Sequence, residues 1–61
     1  MEGNLARYEV QVADRFGWET IGRERSKAEA ERLAAAYQSK GWISAVRIIE
    51  LETGNEVKLY P

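Results

Sequence analysis

Ser26 to Gly41 reads SKAEAERLAAAYQSKG, and the fold follows from what this stretch demands of its flanks. Ser26 suits an N-cap, because its hydroxyl can accept a hydrogen bond from an otherwise unpaired backbone N–H. Glu29, three residues on, completes a capping-box pattern and sits at the positive end of the helix dipole. Lys40 sits at the negative end, Gly41 is placed for a left-handed exit, and Trp42 is placed to fold back on the last turn. These signals predict one helix over 27–40. Ala30, Leu33, Ala34 and Tyr37 follow the spacing of a single apolar helix face. The stripe is mostly alanine, so the helix can approach a flat partner closely. A helix this short is not stable alone, and the flanks must therefore supply a surface.

Both flanks read as β-hairpins. In ARYEVQVA (6–13), Tyr8, Val10 and Val12 alternate with Arg7, Glu9 and Gln11, the period of a half-buried strand. DRFG (14–17) is a turn, and WETIGR (18–23) is a second strand with Gly22 as a weak point or bulge. The register of this hairpin stays open: either Trp18 and Thr20, or Ile21, lie beside Val10 and Val12. Beyond the helix, WISAVRIIELE (42–52) is the longest strand, TGN (53–55) a turn, and EVKLY (56–60) a last strand. A right-handed crossover through the helix makes the second and third strands run the same way. Placing the first strand between them gives an α+β, two-layer fold. Its four-stranded antiparallel sheet has the order 2-1-3-4, with the helix on one face.

The chain has 61 residues, enough for one domain, and chains this short bury only about 60% of their unfolded surface. There is no cysteine, so neither a disulfide nor a thiolate metal site can staple the fold. Oligomerisation is the most accessible extra source of stability. A net charge of -1 lacks the electrostatic signature of a nucleic-acid binder. No apolar run approaches the ~20 residues that span a bilayer, so no membrane partner is expected. The N-terminal MEGNLARYEV lacks the features of a signal peptide, which gives a cytoplasmic expectation.

Histidine is absent as well, which removes the commonest general base and metal ligand. Asp14, Glu19, Glu24, Glu50 and Glu52 are the candidate carboxylates, and they read better as solvated surface charges. Glu50 and Glu52 share a strand face, a weak pattern for a hard cation. We expect no catalytic residue, no metal and no cofactor. The third strand is the unusual feature. Ile43, Ala45, Ile49 and Leu51 occupy one alternation, and Trp42, Val46 and Ile48 the other. Whichever set packs on the helix, the other is uncovered, unless a bulge in this strand switches its faces.

Tyr8-Glu9-Val10-Gln11-Val12, the helical Ala28-Glu29-Ala30-Glu31-Arg32-Leu33, Lys40-Gly41-Trp42 and a strand around Val46 together resemble half of a SPOR domain. That family binds peptidoglycan and has a βαββαβ order. Here residues 14–23 intervene between first strand and helix, and a second helix is missing. The whole pattern also resembles small bacterial ββαββ proteins. The SPOR likeness implies, as an alternative, a glycan-binding module of the cell envelope, which needs a leader peptide; no functional residues carry over.

The expectation is a non-catalytic binding domain that self-associates as a homodimer through the open sheet face, by way of Ile43, Arg47, Ile49, Leu51 and Tyr60. A protein partner is the wider form of the same expectation. Single-stranded nucleic acid on Arg7, Arg47, Lys58 and Tyr60 is the less favoured alternative.

Overall fold

The computed structural model describes residues 5–61. The sequence predicts a short, frayed polar lead over Met1–Leu5, which lies outside the described residues except for Leu5. Five elements follow one another: β1 (Tyr8–Asp14), β2 (Gly17–Glu24), α1 (Lys27–Gln38), β3 (Ala45–Glu50) and β4 (Glu56–Tyr60). The strands form one antiparallel sheet in the order β2-β1-β3-β4, as the crossover rule requires, and α1 lies across one face.

The helix starts as its cap dictates. Ser26 is extended, and its Oγ accepts from the Glu29 N–H at 3.1 Å. The same hydroxyl donates to Glu29 Oε1 at 3.2 Å, so the reciprocal half of the box runs through the two side chains. The exit differs from expectation. The helix stops at Gln38, and the Lys40 N–H donates to Tyr37 O and the Ile43 N–H to Lys40 O. These tight turns unwind the chain without a left-handed residue. Among the described residues the left-handed glycines are Gly17 (φ 115°) and Gly54 (φ 76°), both in hairpin turns, and not Gly41. Lys40 falls outside the last helical turn, and its ammonium lies 5.4 Å from the Tyr37 ring centroid. Trp42 is exposed, and it is Ile43 that packs against the core.

The long third strand is trimmed at both ends, from 42–52 to Ala45–Glu50. At its start, the backbone N–H and Oγ of Ser44 both donate to Ala13 O, at 2.9 and 3.1 Å. At its end, Glu50 donates to Asn55 O and accepts from the Gly54 N–H, which closes the hairpin loop. β1 and β2 begin and end one or two residues from the expected positions, and β4 spans the expected 56–60.

The core is Val10, Val12, Ala30, Ala34, Val46 and Ile48. Tyr8, Ile21, Leu33, Tyr37, Ile43, Val57 and Tyr60 pack around it. Two register shifts shape this layer. One skips Ile21 on β2, between the Val10↔Gly22 and Gln11↔Thr20 pairs. The other skips Val57 on β4, between Ile48↔Lys58 and Ile49↔Glu56. In both cases the unpaired residue is an aliphatic packed on the core. The anticipated bulge in the third strand is therefore found in its partner. The open register of the first hairpin is also resolved: Thr20 and Trp18 stand opposite Gln11 and Ala13, away from the helix, and Ile21 faces the core.

Gly22 stands opposite Val10, where a Cβ would come within 2.8 Å of Leu33 Cδ2. The missing side chain is what lets Leu33 seat on the sheet. Gly22→Val is therefore expected to destabilise the fold by about 1–3 kcal/mol despite valine's better strand propensity. Urea unfolding followed by circular dichroism checks this, and a gain in stability would show that Leu33 moves aside freely.

Candidate functional site

Residues opposite one another in an antiparallel sheet share a face. The pairs Glu9↔Arg23, Glu9↔Ile49 and Ile49↔Glu56 put Arg23, Glu9, Ile49 and Glu56 in one row across all four strands. Thr20, Gln11, Arg47 and Leu59 form the next row, and Trp18, Ala13 and Ala45 the third. The helix lies on the opposite side, against Val10, Val12, Val46 and Ile48. Among the described residues no second layer covers the three rows.

Glu9 organises this open face. It is only 8% exposed although no element lies above it. Its Oε2 accepts from Thr20 Oγ1 and from Gln11 Nε2, both at 2.6 Å, and its Oε1 from Arg23 Nε at 3.0 Å. The Gln11 carbonyl oxygen in turn accepts from Arg47 Nε at 2.7 Å. The Arg47 guanidinium stacks on Trp18, 3.9 Å from the ring centroid. The small Ala13 and Ala45 leave room for the indole in that row. One connected chain of contacts thus runs Arg23–Glu9–Gln11–Arg47–Trp18, with Thr20 attached.

The donors from Thr20 and Gln11, and then Arg23, hold the Glu9 carboxyl below the usual glutamate range, while burial opposes them. The cover over Glu9 is one side chain thick, which is why burial does not win. A carboxylate with both oxygens engaged by donors and a lowered pKa is suited to holding neighbours in place and is a poor proton acceptor.

The residues expected on this face divide. Arg47 and Ile49 are on it, both half-buried. Ile43 precedes β3 and packs on the core. Leu51, 37% exposed, lies past the end of β3 beside Leu5, Ala6 and Arg7 in a shallow depression. Tyr60 pairs with Val46 and Lys58 with Ile48, so both belong to the helix side, where Lys58 Nζ lies 3.8 Å from Glu31 Oε2. The supposed nucleic-acid set of Arg7, Arg47, Lys58 and Tyr60 is therefore split between the two faces. Alternation along β4 misplaced Lys58 and Tyr60 because the register was unknown.

The candidate carboxylates do not converge either. Asp14 Oδ1 accepts from the Phe16 N–H at 2.7 Å, which shapes the first turn. Glu50 accepts from Thr53 Oγ1, and Glu52 lies in the loop, so the two do not share a strand face. Glu19 and Glu24 are on the edge strand β2, opposite Val12 and Tyr8. Among the described residues no group of three or more acidic side chains could hold a metal ion, and no helix is long and apolar enough to cross a membrane.

Thr20, Arg23 and Trp18 were missed as site residues. The alternation of Arg7, Glu9 and Gln11 signalled a polar face, but only the hairpin register reveals their partners. A second feature was also missed: the largest apolar side chains are outside. Phe16, Trp18 and Trp42 are 84%, 42% and 58% exposed. Phe16 and Trp42 share a depression with Asp14 and Arg15 at the sheet end that carries Trp18.

No protein-family model matches the chain, and no curated protein or solved structure matches it significantly.

Because Glu9 is held below its ordinary value of 4.5, the folded state takes up this proton less readily than the unfolded chain. The stabilisation is complete above that ordinary value and is lost as pH falls through the lower folded one. Glu9→Gln should cost on the order of 1–3 kcal/mol at neutral pH and flatten the acid limb of the stability curve. Urea melts across pH check it; an unchanged acid limb would place the acid sensitivity in another group.

Proposed function

We propose that this chain is a non-catalytic binding domain whose contact surface is the open face of its sheet, and that it associates with a second copy of itself there. The observation that carries this reading is the Arg47–Trp18 stack standing beside Leu59 on a face no element covers. Arginine and tryptophan are the residues most enriched at binding hot spots. Here both are held by the Glu9 network before any partner arrives, so little side-chain freedom remains to be lost on docking. Leu59, 49% exposed, adds an aliphatic neighbour with no cover.

A protein surface suits this face better than nucleic acid. Arg47 is already engaged with Gln11, and the carboxylates Glu9 and Glu56 lie in the same row as Arg23. Phosphate contacts need free cations on the contact surface. Catalysis is disfavoured because Glu9, the buried carboxylate of this face, already accepts from three donors.

Sedimentation equilibrium over a wide concentration range tests the proposal, with a dimer as the expected species. Leu59→Asp should raise the dimer dissociation constant by roughly tenfold or more, since it buries an unpaired charge, and should leave helix content unchanged. A monomer at every concentration would overturn self-association.

A further inference from the structure

The rows of the open face are asymmetric in charge from edge to edge. The first row begins with the Arg23 cation on the β2 edge and ends with the Glu56 carboxylate on the β4 edge. The middle row begins with Thr20 and ends with Leu59, with Gln11 and Arg47 between. Two copies of this face can stack with their strands aligned about either of two two-fold axes in the plane between the sheets. An axis perpendicular to the strands lays each strand on its own copy. That would leave Arg23 and Glu56 on opposite edges of the paired faces, β2 against β2 and β4 against β4. An axis parallel to the strands lays β2 on the partner's β4 and β1 on its β3. Arg23 then meets the partner's Glu56, Gln11 meets the partner's Arg47, Ala13 meets the partner's Ala45, and Thr20 meets the partner's Leu59.

We infer that two copies of this chain pack sheet to sheet about a two-fold axis running parallel to the strands between β1 and β3, with Arg23 of each copy against Glu56 of the other. This rests on self-association through the open face and specifies its geometry. Charge complementarity chooses the axis: only the strand-parallel arrangement brings Arg23 of each copy against Glu56 of the other, at both rims. A two-fold interface must be self-complementary, and a row that is positive at one edge and negative at the other is so only about the strand-parallel axis. The area is in range. A standard interface takes about 800 Å² from each partner, roughly a fifth of the 4250 Å² surface of this chain. One broad face of a two-layer protein is of that order.

The absence of cysteine makes the geometry directly testable. Thr20→Cys and Leu59→Cys chains are mixed and treated with a thiol-specific cross-linker spanning about 10 Å, the distance between packed sheets. In the inferred dimer, positions 20 and 59 of opposite chains lie about that far apart, whereas like positions are three strand spacings apart sideways as well, roughly 17 Å in all. The expected result is a mixed 20–59 product in at least roughly tenfold excess over either like–like product, by mass spectrometry. Circular dichroism of each variant confirms the fold first. Glu56→Lys should also weaken the dimer by roughly tenfold, because it sets two cations together. Like–like products in excess would overturn the axis while self-association through this face still stands. A dimeric mass without cross-links would move the contact elsewhere and overturn both. A monomeric mass would overturn self-association, and this geometry with it.

Discussion

The distance between helix and sheet governs this structure. Two of the six core residues are alanines on the helix, and they bring little apolar area of their own. Their value is that Val10, Val12, Val46 and Ile48 can press against the helix itself. Dispersion falls steeply with a gap of even half an ångström, so the layer holds together only while that approach is close. Gly22 serves the same end from the sheet side, since a Cβ there would meet Leu33. A close approach also limits what the interior can accept. Tyr8, Leu33, Tyr37 and Tyr60 are partly buried around the rim, and Phe16, Trp18 and Trp42 stay outside. Exposed aromatics here are a consequence of a thin core in a short chain.

The two register shifts follow from the same shortage of core material. Each edge pair carries one unpaired aliphatic, Ile21 on β2 and Val57 on β4, packed on the helix side. The helix face gains two apolar side chains that strict alternation would have sent elsewhere. The open face keeps its polar residues opposite one another, so Thr20 and Arg23 both reach Glu9. Irregular edges also present a poorer template for uncontrolled strand addition.

Most of the fold was legible in the sequence because its signals are local or topological. Ser26 and Glu29 mark a helix start within four residues, the alanine stripe gives its face, and handedness leaves one simple strand order. The site was less legible for a physical reason: it depends on register. Tyr60 and Lys58 alternate correctly with Leu59, yet their face is set by pairing with Val46 and Ile48 across a shift that no local pattern announces. Ile43 and Leu51 looked like members of a continuous apolar row. The Ser44–Ala13 contact and the Glu50–Asn55 closure take the strand ends away from them. The exit of the helix was misjudged in the same manner, since glycine permits a left-handed turn but does not compel one.

Glu9 shows how the open face differs from ordinary solvated surface. A carboxylate on a face without a second layer would usually extend into water. This one is nine-tenths covered by its own neighbours and gives up hydration for three donors. Hydrogen bonds to an ionised group are stronger than neutral ones, and they hold Gln11, Arg23 and Thr20 in place. Arg47 is held through Gln11, and Trp18 by stacking on Arg47. Stability accounts for part of this arrangement, since removing the buried Glu9 carboxylate would leave its donors without a partner. The network also supplies a surface on which an arginine and a tryptophan are already held in place. Docking on such a surface would cost less side-chain entropy, and a surface closing over it would exclude the water that competes for the Glu9 donors and so strengthen each of those bonds.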